Sequence, residues 1–249
     1  MKRIEENLRG LRRLVGTITY FPFVCKRMIA AEGGKSEARQ IMFEHFQTSL
    51  NAMGVTVKTS GTPAPKGKGA VLCYNEASLI DAISIVGHLW PHAESMSGAD
   101  MWKFIPYLER AFQKAEIDLV PRGNRAANDL LLSKMAETVK AGNRLVWGGE
   151  GKLSRFDGVG HFKRGAALIA IRARAPIYPV AFHGGHHILP AGRLRMRKGT
   201  VHMRFGAPLE TTGLTDEDAR SFSDRLQQKV AALYAQLKDE MNASTRDRM

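Results

Sequence analysis

Apolar positions along the chain follow two rhythms. Short unbroken runs, Ala70–Tyr74, Ile117–Val120, Leu145–Trp147 and Ala175–Phe182, are the length of buried strands and stop at polar or glycine-rich corners. Val55–Lys58 reads as a further strand and Val201–Gly206 as a late one. Longer stretches repeat every three or four residues and predict helices. They are 37–53, with Ile41, Met42, His45, Phe46 and Leu50 near one face, and 126–140, with Leu130, Leu131, Met135 and Val139. A C-terminal helix to about 240 carries Phe222, Leu226, Val230, Leu233 and Leu237, and Thr215-x-x-Asp218 starts it as a capping box. Shorter helices are expected over about 79–88 and 165–173. Strands alternating with helices give an α/β fold. No repeat of 20–50 residues is present.

The first 54 residues break this rhythm and read as an N-terminal helical segment. Basic residues (Lys2, Arg3, Arg9, Arg12, Arg13) are mixed with leucines, then Val15–Val24 is apolar and aromatic. This piece either lies in a lipid interface, with the arginines reaching headgroups, or packs as a first helix on the core. No run of about 18–20 apolar residues could span a bilayer. No signal peptide is expected, because no small-residue cleavage site follows the apolar stretch. The α/β domain covers 55–240, and 241–249 reads as a flexible tail.

Composition adds one feature. The chain of 249 residues carries a formal net charge of +13, which predicts attraction to a polyanion. An anionic membrane surface fits the N-terminal segment. Nucleic acid is not expected, since neither zinc-finger spacing nor an aromatic-basic stacking motif is present. Cys25 and Cys73 sit in apolar surroundings and read as reduced thiols, which suits a cytoplasmic location, peripheral on the inner face of a membrane.

Candidate chemistry centres on Asn75-Glu76-Ala77-Ser78-Leu79-Ile80-Asp81. Ser78-x-x-Asp81 is a capping box opening a helix, and parallel α/β sheets hold ligands at such corners. Taken alone, the stretch also reads as structural, with Ser78 capping, Asp81 in the first turn and Glu76 a solvated loop residue. Gly148-Gly149-Glu150-Gly151 ends another strand, where glycines let backbone approach a ligand. Met101–Leu108 is aromatic and cationic, and reads as core or as groove lining. No metal site is expected. Pro91 separates His88 from His92, and the His183-Gly184-Gly185-His186-His187 run has no carboxylate or cysteine beside it in sequence.

Four blocks in one order resemble the glycerolphosphate and lysophosphatidic acid acyltransferase family. They are Asn75–Asp81, Arg122 after a strand, Glu150-Gly151-Lys152-Leu153-Ser154-Arg155, and Pro176-Ile177-Tyr178-Pro179-Val180, with Phe162-Lys163-Arg164-Gly165 between the last two. The resemblance covers roughly 55–240. It implies a mixed, mostly parallel central sheet flanked by helices. It also implies transfer of a fatty acyl group from an acyl-CoA or acyl-carrier-protein thioester to a hydroxyl of a lysophospholipid-like or other lipid acceptor, as in phospholipid biosynthesis. No cofactor beyond the acyl donor is implied.

The family's first motif, Asn-His-x-Ser-x-x-Asp, places the general base at position 76 and its orienting acid at Asp81. Arg122 matches the arginine that holds the acceptor phosphate. Asn75, Ser78, Glu150, Gly151 and Lys152 fall in the implied substrate-binding set. Gly148-Gly149 and Lys152-Leu153 depart from the family's third motif, Phe-Pro-Glu-Gly-Thr-Arg.

Glu76 stands where the family has histidine. A carboxylate with a reference pKa of about 4.3 is a far weaker base than an imidazole at about 6.5. Glu76 is then a base of raised pKa, the mark of a non-catalytic acyl- or lipid-binding protein on the same fold, or an introduced residue.

Overall fold

The computed structural model describes residues 2–121, 123–192 and 195–246. Seven strands form one sheet in the order β1-β7-β6-β2-β5-β3-β4. They are β1 Val55–Ser60, β2 Ala70–Tyr74, β3 Ser95–Ala99, β4 Asp118–Val120, β5 Arg144–Gly148, β6 Ile177–His183 and β7 Gly199–Phe205. Every pairing is parallel except β6 with β7. The sheet is therefore mixed and mostly parallel.

β2 is buried at all five positions, as a central parallel strand must be. Its side chains alternate between two cores. Leu72 and Tyr74 join the core that holds Phe21, Met42, Ile80 and Phe182, whereas Val71 and Cys73 join that of Met135, Phe162, Ile169 and Leu226. Helices α1 Lys2–Ile29, α2 Gly34–Met53, α3 Leu79–Ser84 and α4 Leu108–Lys114 serve the first face. Helices α5 Arg125–Lys140, α6 Gly165–Ala173 and α8 Ala219–Arg246 serve the second, and a short α7, Gly185–Ile188, follows β6.

The N-terminal segment is a helical hairpin. α1 buries Leu14, Phe21, Val24, Cys25 and Met28 at helical spacing in the same core as the sheet, while Leu8, Val15, Ile18, Tyr20 and Phe23 stay exposed. One face of this helix therefore packs on the core, and the other is exposed. None of the described helices is long and apolar enough to cross a membrane.

Three expectations need correction, and one strand, β3, was not predicted. The helix after Ser78 stops at Ser84 and loosens into one π turn, Ile85–Leu89, followed by a 3₁₀ turn, Trp90–His92, that contains Pro91. β3 has no counterpart in the apolar pattern, because Ser95-Met96-Ser97-Gly98-Ala99 holds only one large apolar residue. On α5 the buried face is Leu131, Leu132, Met135, Ala136 and Val139, and Leu130 points outward, 74% exposed. The tail expected over 241–249 continues α8 as far as Arg246, and 247–249 lie outside the described residues.

Candidate active site

The site assembles at the carboxyl ends of β2 and β5, where open α/β sheets hold ligands. β2 ends at Tyr74, and α3 begins at Leu79 after four intervening residues. Each residue of this corner has a distinct physical task. Asn75 is fully buried: its Nδ2 donates to the Phe182 carbonyl at 3.1 Å and its Oδ1 accepts the Phe182 N–H at 2.8 Å. Ser78 accepts the Ile80 N–H at 3.1 Å as N-cap and donates to the Leu189 carbonyl at 3.2 Å. Expected to touch substrate, Asn75 and Ser78 instead spend their polar atoms on backbone.

Asp81 is 1% exposed. Its Oδ2 accepts the Ala77 N–H at 3.1 Å, so the acid reaches back over the corner. Its Oδ1 lies against the Gly185 backbone outside hydrogen-bond geometry, and a side chain at 185 would collide with it. Burial pushes the Asp81 carboxyl up to about 7, against the pull of the Ala77 and Ser78 N–H groups and with a further push from Glu150.

Glu150 braces the corner from the other side. Oε2 accepts the Glu76 N–H at 2.8 Å, and Oε1 accepts the N–H of Gly160. One carboxylate therefore joins the β2 corner to both ends of the 150–160 loop. Burial also raises this group to about 7, opposed by those two N–H groups. Ser154 N–H donates to the Glu76 carbonyl at 2.8 Å, closing the loop over the corner. The glycines of this motif have a local reason. A Cβ at Gly149 would stand 2.4 Å from the Phe162 ring, and Gly151 has φ +66°.

Glu76 is held by this scaffold at the wall of a cavity of about 760 Å³, the size of a small-ligand site. Gly148, Gly151, Lys152, Lys163 and Arg125 also line it. Its remaining wall is mainly apolar and reaches Ile18 and Phe21 of α1 and Phe46 of α2. Met101, Trp102, Ile105 and Leu108 face it too, so the 101–108 segment is groove lining.

The structure thus brings Glu76, Gly151 and Lys152 to one cavity. It places Asp81 and Glu150 behind the corner, and Asn75 and Ser78 in its anchoring. Arg122 lies outside the described residues. Sequence reasoning missed Lys163, Arg125 and Gly185. Lys163 stood in a quoted block, but only the closure of the loop, with its N–H on the Gly149 carbonyl at 2.8 Å, brings it to the site. A second correction concerns His183–His187: the fold brings Asp157 to within 3.9 Å of His183 and 3.6 Å of His187.

Comparisons with known proteins give the family and the fold. A putative 1-acyl-sn-glycerol-3-phosphate acyltransferase, acl-2, of Caenorhabditis elegans is 28% identical over 174 residues, 69% of this chain and 61% of that protein. An uncharacterized acyltransferase of Schizosaccharomyces pombe is 25% identical over 61% of this chain and 56% of its own length. The chain therefore spans under two thirds of these two relatives. The human 1-acyl-sn-glycerol-3-phosphate acyltransferase alpha is 25% identical over 94% of this chain and 72% of that one. The crystal structure of the lysophosphatidic acid acyltransferase PlsC from Thermotoga maritima shares the fold, with a TM-score of 0.71 at 21% identity over 95% of this chain and 96% of that one. Residues 55–183, which hold Glu76, Asp81 and Glu150, match the family model described as Acyltransferase, and the chain belongs to that family.

Proposed function

We propose that the chain transfers a fatty acyl group from a thioester, on coenzyme A or an acyl carrier protein, to a hydroxyl of a lysophospholipid-like acceptor. The observation that carries this reading is the apolar cavity of about 760 Å³ with Glu76 and cationic side chains in its wall. The acyl chain lies along the apolar wall, and Lys152, Lys163 and Arg125 face the anionic parts of donor and acceptor. Arg122, by the family resemblance, adds to that set. Glu76 accepts the acceptor's hydroxyl proton as that oxygen attacks the thioester carbonyl. The C–O bond forms, the C–S bond breaks, and the released thiolate takes up a proton. Asp81 and Glu150 are positioning residues, since both hold backbone N–H groups of the corner that carries Glu76.

The acceptor reaches the site from a membrane. The exposed Leu8, Val15, Ile18, Tyr20 and Phe23 lie on a helix that also carries exposed Arg9, Arg12 and Arg13, which suits peripheral docking on the inner face of an anionic membrane.

The test is thiol release from palmitoyl-CoA and from palmitoyl-carrier protein, with 1-acylglycerol-3-phosphate in mixed vesicles. Wild-type protein is expected to turn over and Glu76→Gln to lose most of the rate. If neither wild type nor Glu76→His transfers acyl groups to any lysophospholipid or other alcohol, the enzyme reading fails. A carboxylate in place of an imidazole favours one alternative, a protein that binds acyl chains without turnover. Saturable palmitoyl-CoA binding in the absence of turnover would establish it.

A further inference from the structure

We propose that Asp157, His183 and His187 form a binding site for a divalent transition metal ion of the zinc class. The three side chains come from separate places: the loop after Glu150, the end of β6, and the short α7. Each offers one donor atom, and the three atoms lie within 4.8 Å of one another. Asp157 Oδ1 is 3.9 Å from His183 Nε2 and 3.6 Å from His187 Nε2. These separations are too long for hydrogen bonds. Zinc bound tetrahedrally at about 2.0–2.2 Å would set such donors about 3.3–3.6 Å apart. Closing the gap requires a small movement, and His187, about half exposed, is free of the packing that fixes His183.

The independent observation is His183 itself. Its side chain is 2% exposed, and its Nε2 is buried without a hydrogen-bond partner. Its Nδ1 lies 3.0 Å from the Met241 Sδ. A thioether sulfur can only accept, so Nδ1 carries the proton and Nε2 presents a lone pair. A buried lone pair aimed at a carboxylate and a second imidazole is a repulsive arrangement alone and a favourable one around a cation.

The surroundings complete the pattern. Tyr234 Oη donates to Asp157 Oδ1 at 2.5 Å and Lys238 Nζ to Oδ2 at 2.9 Å. Such donors orient a metal-binding carboxylate. An adjoining opening of about 520 Å³ is lined by Asp157, His187, Arg195 and Arg197. It offers a path for the ion and room for a water or small anion at the remaining coordination position. A bound ion would tie the 150–160 loop to the strand end next to Gly185, whose backbone abuts Asp81. The site is therefore structural in kind and independent of the acyl-transfer reading.

The full chain, stripped with a chelator and returned to pH 7.5, is titrated with Zn²⁺ by calorimetry and with Co²⁺ by visible absorption. One Zn²⁺ per chain is expected with a Kd of about 1 μM or tighter. His187→Ala, at a half-exposed position, and Asp157→Asn should each weaken binding about 100-fold. Both should also abolish the intense visible bands of four-coordinate Co²⁺. His161→Ala, at an exposed histidine elsewhere, should change neither. The proposal is overturned if uptake is not saturable below about 100 μM. Uptake that survives His187→Ala and Asp157→Asn would overturn it equally, since ordinary surface histidines would then hold the metal.

Discussion

The two ends of the central sheet handle buried charge in opposite ways. At the amino end, Arg144 of β5 is buried and fully answered. Its Nε and Nη2 donate to Glu94, its backbone N–H donates to Glu94 Oε2 at 3.0 Å, and its Nη1 donates to the Ala64 carbonyl at 3.1 Å. The hydrogen bonds from Arg144 hold the Glu94 carboxyl below its ordinary range. At the carboxyl end, Asp81 and Glu150 accept hydrogen bonds from backbone N–H groups, and burial pushes both up to about 7. The first arrangement supports the fold. The second taxes it near neutral pH in order to hold Glu76 at the cavity. Strained ionisation at one end and satisfied ionisation at the other separate the proposed active site from the scaffold.

The comparison breaks most sharply on activity. Glu76→Gln should lower acyl transfer by about 10²–10⁴-fold with little change in stability. A variant with full turnover would remove Glu76 from the chemistry. At the other end, Arg144→Leu should spare the site but leave Glu94 and the Ala64 carbonyl without their donor. Glu94 is 39% exposed, so water takes up part of the loss, and about 2–3 kcal/mol of unfolding free energy is expected to go. Urea titration measures it. A loss of activity in folded protein larger than the loss of stability would show that the two ends are coupled.

Asp81→Asn tests the sign of the contrast. A carboxyl raised in the folded state gives stability that is complete below its unfolded pKa, near 4, and is lost as pH rises through about 7. The wild type should therefore weaken between pH 4 and pH 8. The amide keeps an acceptor for the Ala77 N–H and cannot ionise, so the variant should be flatter and about 2 kcal/mol more stable at pH 8. Its activity should fall as far as trading the carboxylate, which takes the Ala77 and Ser78 N–H groups, for an amide with one acceptor oxygen loosens the corner. An unfolding midpoint at pH 8 lower than wild type would mean that Asp81 is satisfied as an anion.

What the sequence made legible follows from the range of the forces involved. β2, β5 and β6 were readable because central parallel strands are apolar on both faces, and the corner was readable because capping is local. The family was readable from four blocks standing in one order, Asn75–Asp81 the first of them, and from no single block. β3 was not readable, since its place between β5 and β4 comes from sheet pairing and not from its own Ser and Gly residues. Lys163 and Gly185 were invisible for a similar reason. The first reaches the cavity by loop closure, and the second matters only because Asp81 stands against it. Asp157 is 26 positions before His183 in sequence, and only the crossover through α6 brings the two together.

The mirror of Asp81→Asn is Glu94→Gln, with the smallest expected effect. A carboxyl held below its ordinary pKa supplies stability above its unfolded value and loses it as pH falls through the folded one. The glutamine keeps one oxygen for the Arg144 fork and gives up the charge. The partly exposed setting screens the pair, so only about 0.5–1 kcal/mol should be lost at pH 7. That difference should shrink as pH falls through the lowered folded-state pKa and the wild-type carboxyl takes up its proton. Denaturation midpoints of the two proteins should converge on the acid side, just where Asp81→Asn and wild type also meet. If Glu94→Gln instead gained stability at neutral pH, the amino end would be as strained as the site, and the contrast between the two ends of the sheet would be gone.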